Sequence, residues 1–599
     1  MEASTIPAAH EASTDSRTIA DLLSIAAVKH AESVAVRYKD GDAWRDVTFA
    51  EVGAAVTEIG NGLIDLGVAA ADRVAILCST RPEWTYCDFA ISSAGAVVVP
   101  IYPTNSPEEC EWVLHNSGAV AVVCEDAAQV AKVRAVQQRL PDLRWIVVVN
   151  PAGEVGDATA LDQIRERGRA SDRSELDRRT AAVTREDTFT IIYTSGTTGP
   201  PKGCVLSHGN YRDVTHMLEA AQVLAPGEAT YLFLPLAHAF ALLIQLVSFD
   251  LGATLVYFSG GDPKKVIPEL SETKPQFFPS VPRIFEKLYT FVTSAGDPAQ
   301  IAQAVAVGMQ VRELRRQGQA VPPELQAGFD AAEEKLFKNV RAAFGGNVRE
   351  AVTGAAPIAP EILRFFHACG VPVLEGYGMT ETSTVATIST AESFKLGTVG
   401  KALTGVEIRI GDDGEVLLRG PNIFQGYFGN EQATRETLVD GWLHTGDLGS
   451  LDEQGFLRIT GRKKDIIITA GGKNITPANL ENDLKQSRWI SQAVMHGDRR
   501  PYPVALITLD EEEIAKFATE HGLPSDIPSL AKDPQVIELI GGVLDTVNAR
   551  YASVEQIKRF AVLDHDLSQE TGELTPTMKV KRNVVEELYR AELDALYQA

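Results

Sequence analysis

Ile191-Ile192-Tyr193-Thr194-Ser195-Gly196-Thr197-Thr198-Gly199-Pro200-Pro201-Lys202-Gly203 is the stretch on which the reading of the whole chain turns. Two β-branched residues and a tyrosine end a strand. A loop of hydroxyls and glycines follows, and then a lysine. Gly196, Gly199 and Gly203 let backbone N–H groups turn inward and approach a ligand closely. The hydroxyls of Thr194, Ser195, Thr197 and Thr198 add donors, and Lys202 adds a positive charge. That inventory suits a polyphosphate. It is not a Walker A loop, because G-x-x-x-x-G-K-[ST] is absent. By composition alone an ordinary turn explains it equally well.

Around this loop lies a long acidic chain. Its 599 residues predict several domains or subdomains, each with its own core. A formal net charge of −24 argues against a basic nucleic-acid-binding face. It does not exclude an anionic ligand, since local lysines and backbone dipoles reverse the field inside a cleft. The six cysteines form no C-x-x-C pair, which argues against a zinc knuckle or dithiol site and fits a reduced, cytoplasmic setting. Residues 1–17 carry no signal-peptide pattern and read as a flexible leader. No apolar run reaches the ~18 residues of a transmembrane helix.

Upstream of the loop, apolar strands alternate with helical patterns. Arg73–Cys78, Ala96–Pro100, Ala119–Cys124 and Trp145–Val149 read as strands, with helices over Pro82–Ser93, Glu108–Asn116 and Gln129–Arg139 between them. This alternation predicts an α/β fold with parallel sheet and helical crossovers. The polar segment Asp162–Asp187 is expected to cross the surface. Downstream, residues 286–344 read as a charged helical insertion. Arg312, Arg315 and Arg316 within it read as a solvated face, with transient membrane contact as the lesser alternative. The aromatics of Gln276–Phe285 are either ordinary core or the lining of an apolar tunnel.

Further motifs carry chemistry. Leu234-Pro235-Leu236-Ala237-His238-Ala239-Phe240 puts a histidine at a strand end, where α/β sheets bind ligands. Thr353-Gly354-Ala355-Ala356-Pro357 is followed by Glu375-Gly376-Tyr377-Gly378-Met379-Thr380-Glu381. Tyr377 can stack on a purine, Gly376 and Gly378 permit a tight turn, and the Thr380 hydroxyl can bind phosphate. Glu381 is a hard oxygen ligand of the kind Mg²⁺ takes beside substrate phosphates. A β-rich stretch from Gly414 to Tyr427 leads to Thr445-Gly446-Asp447, whose carboxylate suits ribose hydroxyls.

These strings, in this order, resemble the adenylate-forming superfamily of acyl-CoA synthetases, peptide-synthetase adenylation domains and luciferases. Among its members they are most similar to bacterial AMP-forming long-chain fatty-acyl-CoA synthetases. The resemblance runs from about residue 20 to the C-terminus. It implies a large N-terminal domain (18–461) of parallel-sheet α/β subdomains plus a small β-rich subdomain, and a small mobile α+β C-terminal domain (462–599). It implies ATP, AMP and Mg²⁺ contacts along Thr194–Gly199, Lys202, Gly354–Ala356, Glu375–Gly378, Thr380, Asp447 and Arg462, with Thr194 and Glu381 on the metal. It places His238, Phe240 and Val281 at an acyl pocket, the hinge at Lys464, and Gly471, Gly472 and Lys473 on a CoA channel.

The same resemblance names Lys579 in Leu574-Thr575-Pro576-Thr577-Met578-Lys579-Val580-Lys581-Arg582 as the adenylating lysine. An ammonium there stabilises the anions that meet when a carboxylate attacks α-phosphate. Met578 stands where the commonest family form has glycine, and Lys581 is the alternative assignment. The implied reaction activates a medium- or long-chain fatty acid as acyl-AMP and passes it to CoA, releasing pyrophosphate and AMP. Alternatives are a fatty-acyl-AMP ligase that loads a carrier protein, amino-acid or aryl-acid activation, and a catalytically dead nucleotide-binding regulator. Chain-length preference and oligomeric state stay open.

Overall fold

A computed structural model describes residues 9–194, 200–293, 296–470, 474–575 and 578–598. Arg73–Leu77, Val97–Ile101, Ala121–Cys124 and Trp145–Val148 are parallel strands, joined by helices Pro82–Ser93, Pro107–Ser117 and Ala127–Val136. They are apolar on both faces, as a sheet covered on both sides requires. Thr188–Thr194 joins this sheet beside Val97–Ile101, and Lys202–Ser207 folds back antiparallel to it, so Thr194 and Lys202 stand at the carboxyl end of the parallel strands, where such sheets bind ligands. Gly426–Tyr427 adds the last strand, pairing with Val205 and Cys204.

A second, nine-stranded sheet runs beside the first. Its parallel centre is Ala229–Leu232, Thr254–Tyr257, Phe277–Ser280, Glu350–Thr353 and Val373–Tyr377. Helix Ala239–Asp250 is apolar nearly all round and is buried in the core the two sheets share. A five-stranded sheet containing Glu415–Arg419, Trp442–Leu451 and Leu457–Arg462 follows. The C-terminal module packs helices Pro477–Lys485, Glu511–His521 and Pro534–Asn548 on a three-stranded sheet around its own core. This is the expected α/β architecture.

Four readings are changed or refined. Residues 13–16 are no loose leader: Ser13, Thr14 and Ser16 are buried. The Thr14 backbone N–H donates to Asp250 Oδ1 at 3.2 Å and the Ser13 hydroxyl to Oδ2 at 3.3 Å. Arg212, itself fully buried, pairs with Asp250 at 3.1 Å and donates to the Ser16 carbonyl at 3.0 Å. A buried carboxylate needs such partners, and this short polar segment supplies them. Asp162–Asp187 folds into helices Leu161–Ala170 and Ser174–Ala182 on the surface. The helical cover begins at Pro282, before residue 286, because proline presets the first helical turn. Phe278, Phe285, Phe344 and Phe366 pack ring against ring beneath it and are core side chains, not a tunnel lining.

All six cysteines are buried free thiols. No helix among the described residues is long and apolar enough to cross a membrane.

Candidate active site

The two large sheets meet where Lys202, Tyr427 and Glu381 come together. Thr194 ends its strand there, with its hydroxyl 3.4 Å from the Lys202 carbonyl. The Trp112 indole donates to the Pro201 carbonyl at 2.9 Å and fixes the far end of the loop. Ser195, Gly196, Thr197, Thr198 and Gly199 lie outside the described residues, as do Gly471, Gly472 and Lys473.

From the second sheet, Thr353–Pro357 and Glu375–Gly378 come side by side. A Cβ on Gly354 would sit 3.2 Å from the Gly376 carbonyl, and one on Gly378 would meet the Thr384 carbonyl at 2.1 Å. Ala355 holds φ +67°, a strained left-handed backbone for a residue with a Cβ. Ala356 is exposed beside it. Burial pushes the Glu375 carboxyl up to about 8, against the pull of Arg458. Thr380–Thr382 is one 3₁₀ turn that presents Glu381, which is buried. Asn422 ties down that turn, donating to the Val385 carbonyl at 2.9 Å and accepting from Ser383 through its own carbonyl at 2.8 Å.

Sequence reasoning quoted Tyr427 but gave it no role. Its hydroxyl donates to Glu381 Oε1 at 2.7 Å, and the Lys202 ammonium lies over its ring, 4.9 Å from the centroid. Burial, and then Glu381, push its phenol well above the usual range, so it stays a donor. The side chain thus spaces the candidate metal carboxylate from the candidate phosphate lysine. Only the strand pairing Tyr427↔Cys204 brings it there, 46 residues after Glu381, so no local signal reveals it.

Asp447 and Arg462 face each other across two antiparallel strands, with Arg462 Nε 2.9 Å from Asp447 Oδ1. The Tyr377 hydroxyl donates to Asp447 Oδ2 at 2.7 Å, which orients its ring as a wall of the cleft. Asp447 is buried, whereas the Arg462 side chain is half exposed. The Asp447 charge holds the Arg462 guanidinium above its ordinary range.

His238 caps helix Ala239–Asp250, its Nδ1 accepting from the Phe240 N–H at 3.2 Å. Burial, then Lys579, push the imidazole down to about 3, so it is neutral and its proton sits on Nε2. The hydroxyl of Thr80 donates to the Leu234 carbonyl at 2.7 Å and fixes the preceding turn. Phe240 and Val281 are partly buried on the same core as Tyr377. Thr384 donates to the Ala239 carbonyl at 2.8 Å and joins this element to the Glu381 turn.

Lys579 enters from the C-terminal module on a hairpin. The Thr575 N–H donates to the Lys579 carbonyl at 2.8 Å, and the Lys581 N–H to the Glu573 carbonyl at 2.8 Å. Met578 takes φ +61° at its tip, which explains why glycine suits that position. The Lys579 ammonium is pushed down to about 8 by burial and then by Arg462, against the pull of Asp447 and Glu381. Lys581 Nζ instead stands 4.0 Å from Glu109 Oε1 at the rim. Lys579 thus lies within electrostatic range of Arg462, Asp447 and Glu381, whereas Lys581 pairs with Glu109. Lys464 lies on the exposed turn Lys463–Asp465 between the modules. Lys463, its neighbour, bonds Glu415 at 2.8 Å on the large domain.

Among the described residues no group of three or more histidines, cysteines or carboxylates gathers to hold a metal. The buried carboxylate of Glu381 is a hard oxygen ligand of the kind that fits Mg²⁺ arriving with a nucleotide.

Fold and site together define an adenylate-forming enzyme. The AMP-binding enzyme model matches residues 23–428, and the AMP-binding enzyme C-terminal domain model matches 464–599. The chain belongs to that family. Long-chain-fatty-acid–CoA ligase FadD15 of Mycobacterium tuberculosis is 41% identical over 566 residues, covering 92% of each chain. Long-chain-fatty-acid–CoA ligase ACSBG2 of Xenopus laevis is 33% identical over 97% of this chain and 84% of its own. Among solved structures, the anthranilate CoA ligase AuaEII in complex with anthranoyl-AMP has a TM-score of 0.72 at 22% identity, covering 99% of this chain and 100% of that one. The likeness to that structure is one of fold.

Proposed function

We propose that this chain is an AMP-forming ligase that joins medium- and long-chain fatty acids to CoA through an acyl-AMP intermediate. The observation that carries the reading is that Lys579, from the C-terminal module, lies within electrostatic range of Glu381 and of the Asp447–Arg462 pair of the large domain. The fatty-acid–CoA ligase relatives supply the substrate class.

In the first half-reaction a carboxylate oxygen attacks the α-phosphorus of ATP and pyrophosphate leaves. Tyr377 stacks on adenine, Asp447 accepts from the ribose hydroxyls, and the Thr194–Lys202 loop holds the leaving phosphates. Glu381, with Thr194, would hold the Mg²⁺ that comes with ATP, which would screen the phosphate charge. The Lys579 ammonium bridges the carboxylate and the α-phosphate, stabilising charge that grows in the transition state. Neutral His238 has no charge to repel that ammonium, and with Phe240 and Val281 it is assigned to the acyl pocket.

In the second half-reaction the CoA sulfur attacks the acyl carbon and AMP leaves. Turning the C-terminal module (462–599) about Lys464 would withdraw Lys579 and open that path, with Gly471, Gly472 and Lys473 along it. The test is product analysis with Mg-ATP and CoA over fatty acids of increasing chain length, benzoate and amino acids. Acyl-CoA and AMP made fastest from medium or long chains are expected. Pyrophosphate release without thioester would transfer the assignment to a carrier-protein ligase, and ATP binding without turnover to a dead regulator.

A further inference from the structure

Arg283 closes the sequence Ser280-Val281-Pro282-Arg283 and has no part in the proposed adenylation site. It sits in the first turn of helix Pro282–Thr293, whose Phe285 and Leu288 are fully buried. That helix is rigidly seated, so the Arg283 guanidinium projects from a fixed base. It reaches the other module. Arg283 Nη2 donates to the Ser491 hydroxyl at 3.1 Å and lies 3.5 Å from Asp510 Oδ2.

Behind Ser491 the contact continues toward the catalytic hairpin. The Ser491 hydroxyl donates to Asp566 Oδ2 at 2.6 Å, leaving its lone pairs to accept from Arg283. Asp566 Oδ1 takes the Thr508 hydroxyl at 2.5 Å and the Leu567 N–H at 2.9 Å. The next residue, Ser568, donates its N–H to Glu573 Oε2 at 3.0 Å, at the base of the Lys579 hairpin. A second pair spans the same seam, with Lys264 Nζ 3.1 Å from Glu512. Arg283 on the helical cover and Lys264 on the turn Pro263–Lys265 thus face Asp510 and the acidic first turn of helix Glu511–His521.

We infer that Arg283 is a positioning residue: by docking on Ser491 and Asp510 it holds the C-terminal module in the arrangement that keeps Lys579 in the cleft. This rests on the proposed two-step reaction. Arg283 would favour the first half-reaction and have to release for the second, because any turn about Lys464 carries residues 491 and 510 away from residue 283. A fork-shaped, always-charged donor suits a contact that must be both specific and breakable.

The experiment separates the half-reactions. ATP–pyrophosphate exchange driven by hexadecanoate reads the first, and thioester formation from synthetic hexadecanoyl-AMP and CoA reads the second. Arg283→Ala is expected to lower the kcat of exchange by about ten-fold through a population shift, with KM nearly unchanged. The second half-reaction should hold or quicken, and Arg283→Lys should recover part of the loss. Equal losses in both steps, or no loss in either, would overturn the inference. A second readout needs no substrate: spin labels on cysteines introduced at the exposed positions Glu324 and Glu538, the native thiols being buried. The Arg283→Ala distance distribution should gain a population that the unsubstituted protein lacks, and an unchanged distribution would overturn the docking role. A wild-type chain inactive in both half-reactions would instead sink the proposed function, and the label distances would still judge the docking.

Discussion

Glu381 and Lys579 reach the same cleft from supports of different kinds. Glu381 stands on a turn tied to its own domain through Asn422, Tyr427 and the end of a buried sheet. Lys579 stands on a short hairpin with a left-handed Met578 at its tip, and the module that carries it meets the large domain through a few polar contacts. The floor is thus pre-organised, whereas the lysine is deliverable. A cleft that serves two transition states needs that asymmetry: phosphate and metal groups that stay, and a cation that can leave.

Substitutions on the two supports should therefore separate. Beyond the lysine itself, the largest effect is expected at Glu381. Glu381→Gln should lower adenylation by about 10²–10³-fold, the scale of losing one electrostatic stabiliser. It should also raise the Mg²⁺ concentration for half-maximal rate, read by pyrophosphate exchange across a magnesium titration. Tyr427 comes next. Tyr427→Phe removes the hydroxyl from Glu381 but keeps the ring beneath Lys202, and should raise the KM for Mg-ATP several-fold. Tyr427→Leu removes both contacts and should raise it further, so equal KM values in the two variants would contradict the spacing role.

The pH dependence sharpens the same contrast. Lys579 is held at about 8, below an ordinary lysine, so its working protonated form is lost as pH rises through that value. The kcat/KM of adenylation should fall above pH 8, and thioester formation from acyl-AMP should lack that limb. By linkage, the folded closed arrangement binds fewer protons at Lys579 than the unfolded chain does. Stability from this group therefore rises between about pH 8 and the ordinary lysine range. The smallest effect is expected at Met578. Met578→Gly relieves the positive φ and should leave adenylation within about two-fold, while β-branched Met578→Val should lose more.

Much of this was legible in the sequence, for a physical reason. The proposed phosphate, ribose and metal contacts call for particular side chains at close spacing on loops, so Thr194–Lys202, Tyr377–Glu381 and Thr445–Asp447 stand out as candidates in the chain itself. The alternating strands and helices before residue 150 were equally plain, because both periods are local. What stayed hidden is long-range. Tyr427 meets Glu381 through a strand pairing, Arg283 meets Ser491 across 208 residues, and Thr14 meets Asp250 across 236. The polar leader looked loose because its partner, a buried aspartate, lies far along the chain. Met578 departed from the common pattern in sequence, and only the backbone angle explains what the departure costs.

The most direct measurement is the pair of half-reaction rates in Lys579→Ala, compared with the unsubstituted protein. The account predicts that hexadecanoate-dependent pyrophosphate exchange falls by about 10²-fold or more, while hexadecanoyl-AMP and CoA still give thioester at close to the normal rate. Loss of both rates together, or survival of the exchange, would contradict a lysine that enters the cleft for adenylation and leaves it for transfer.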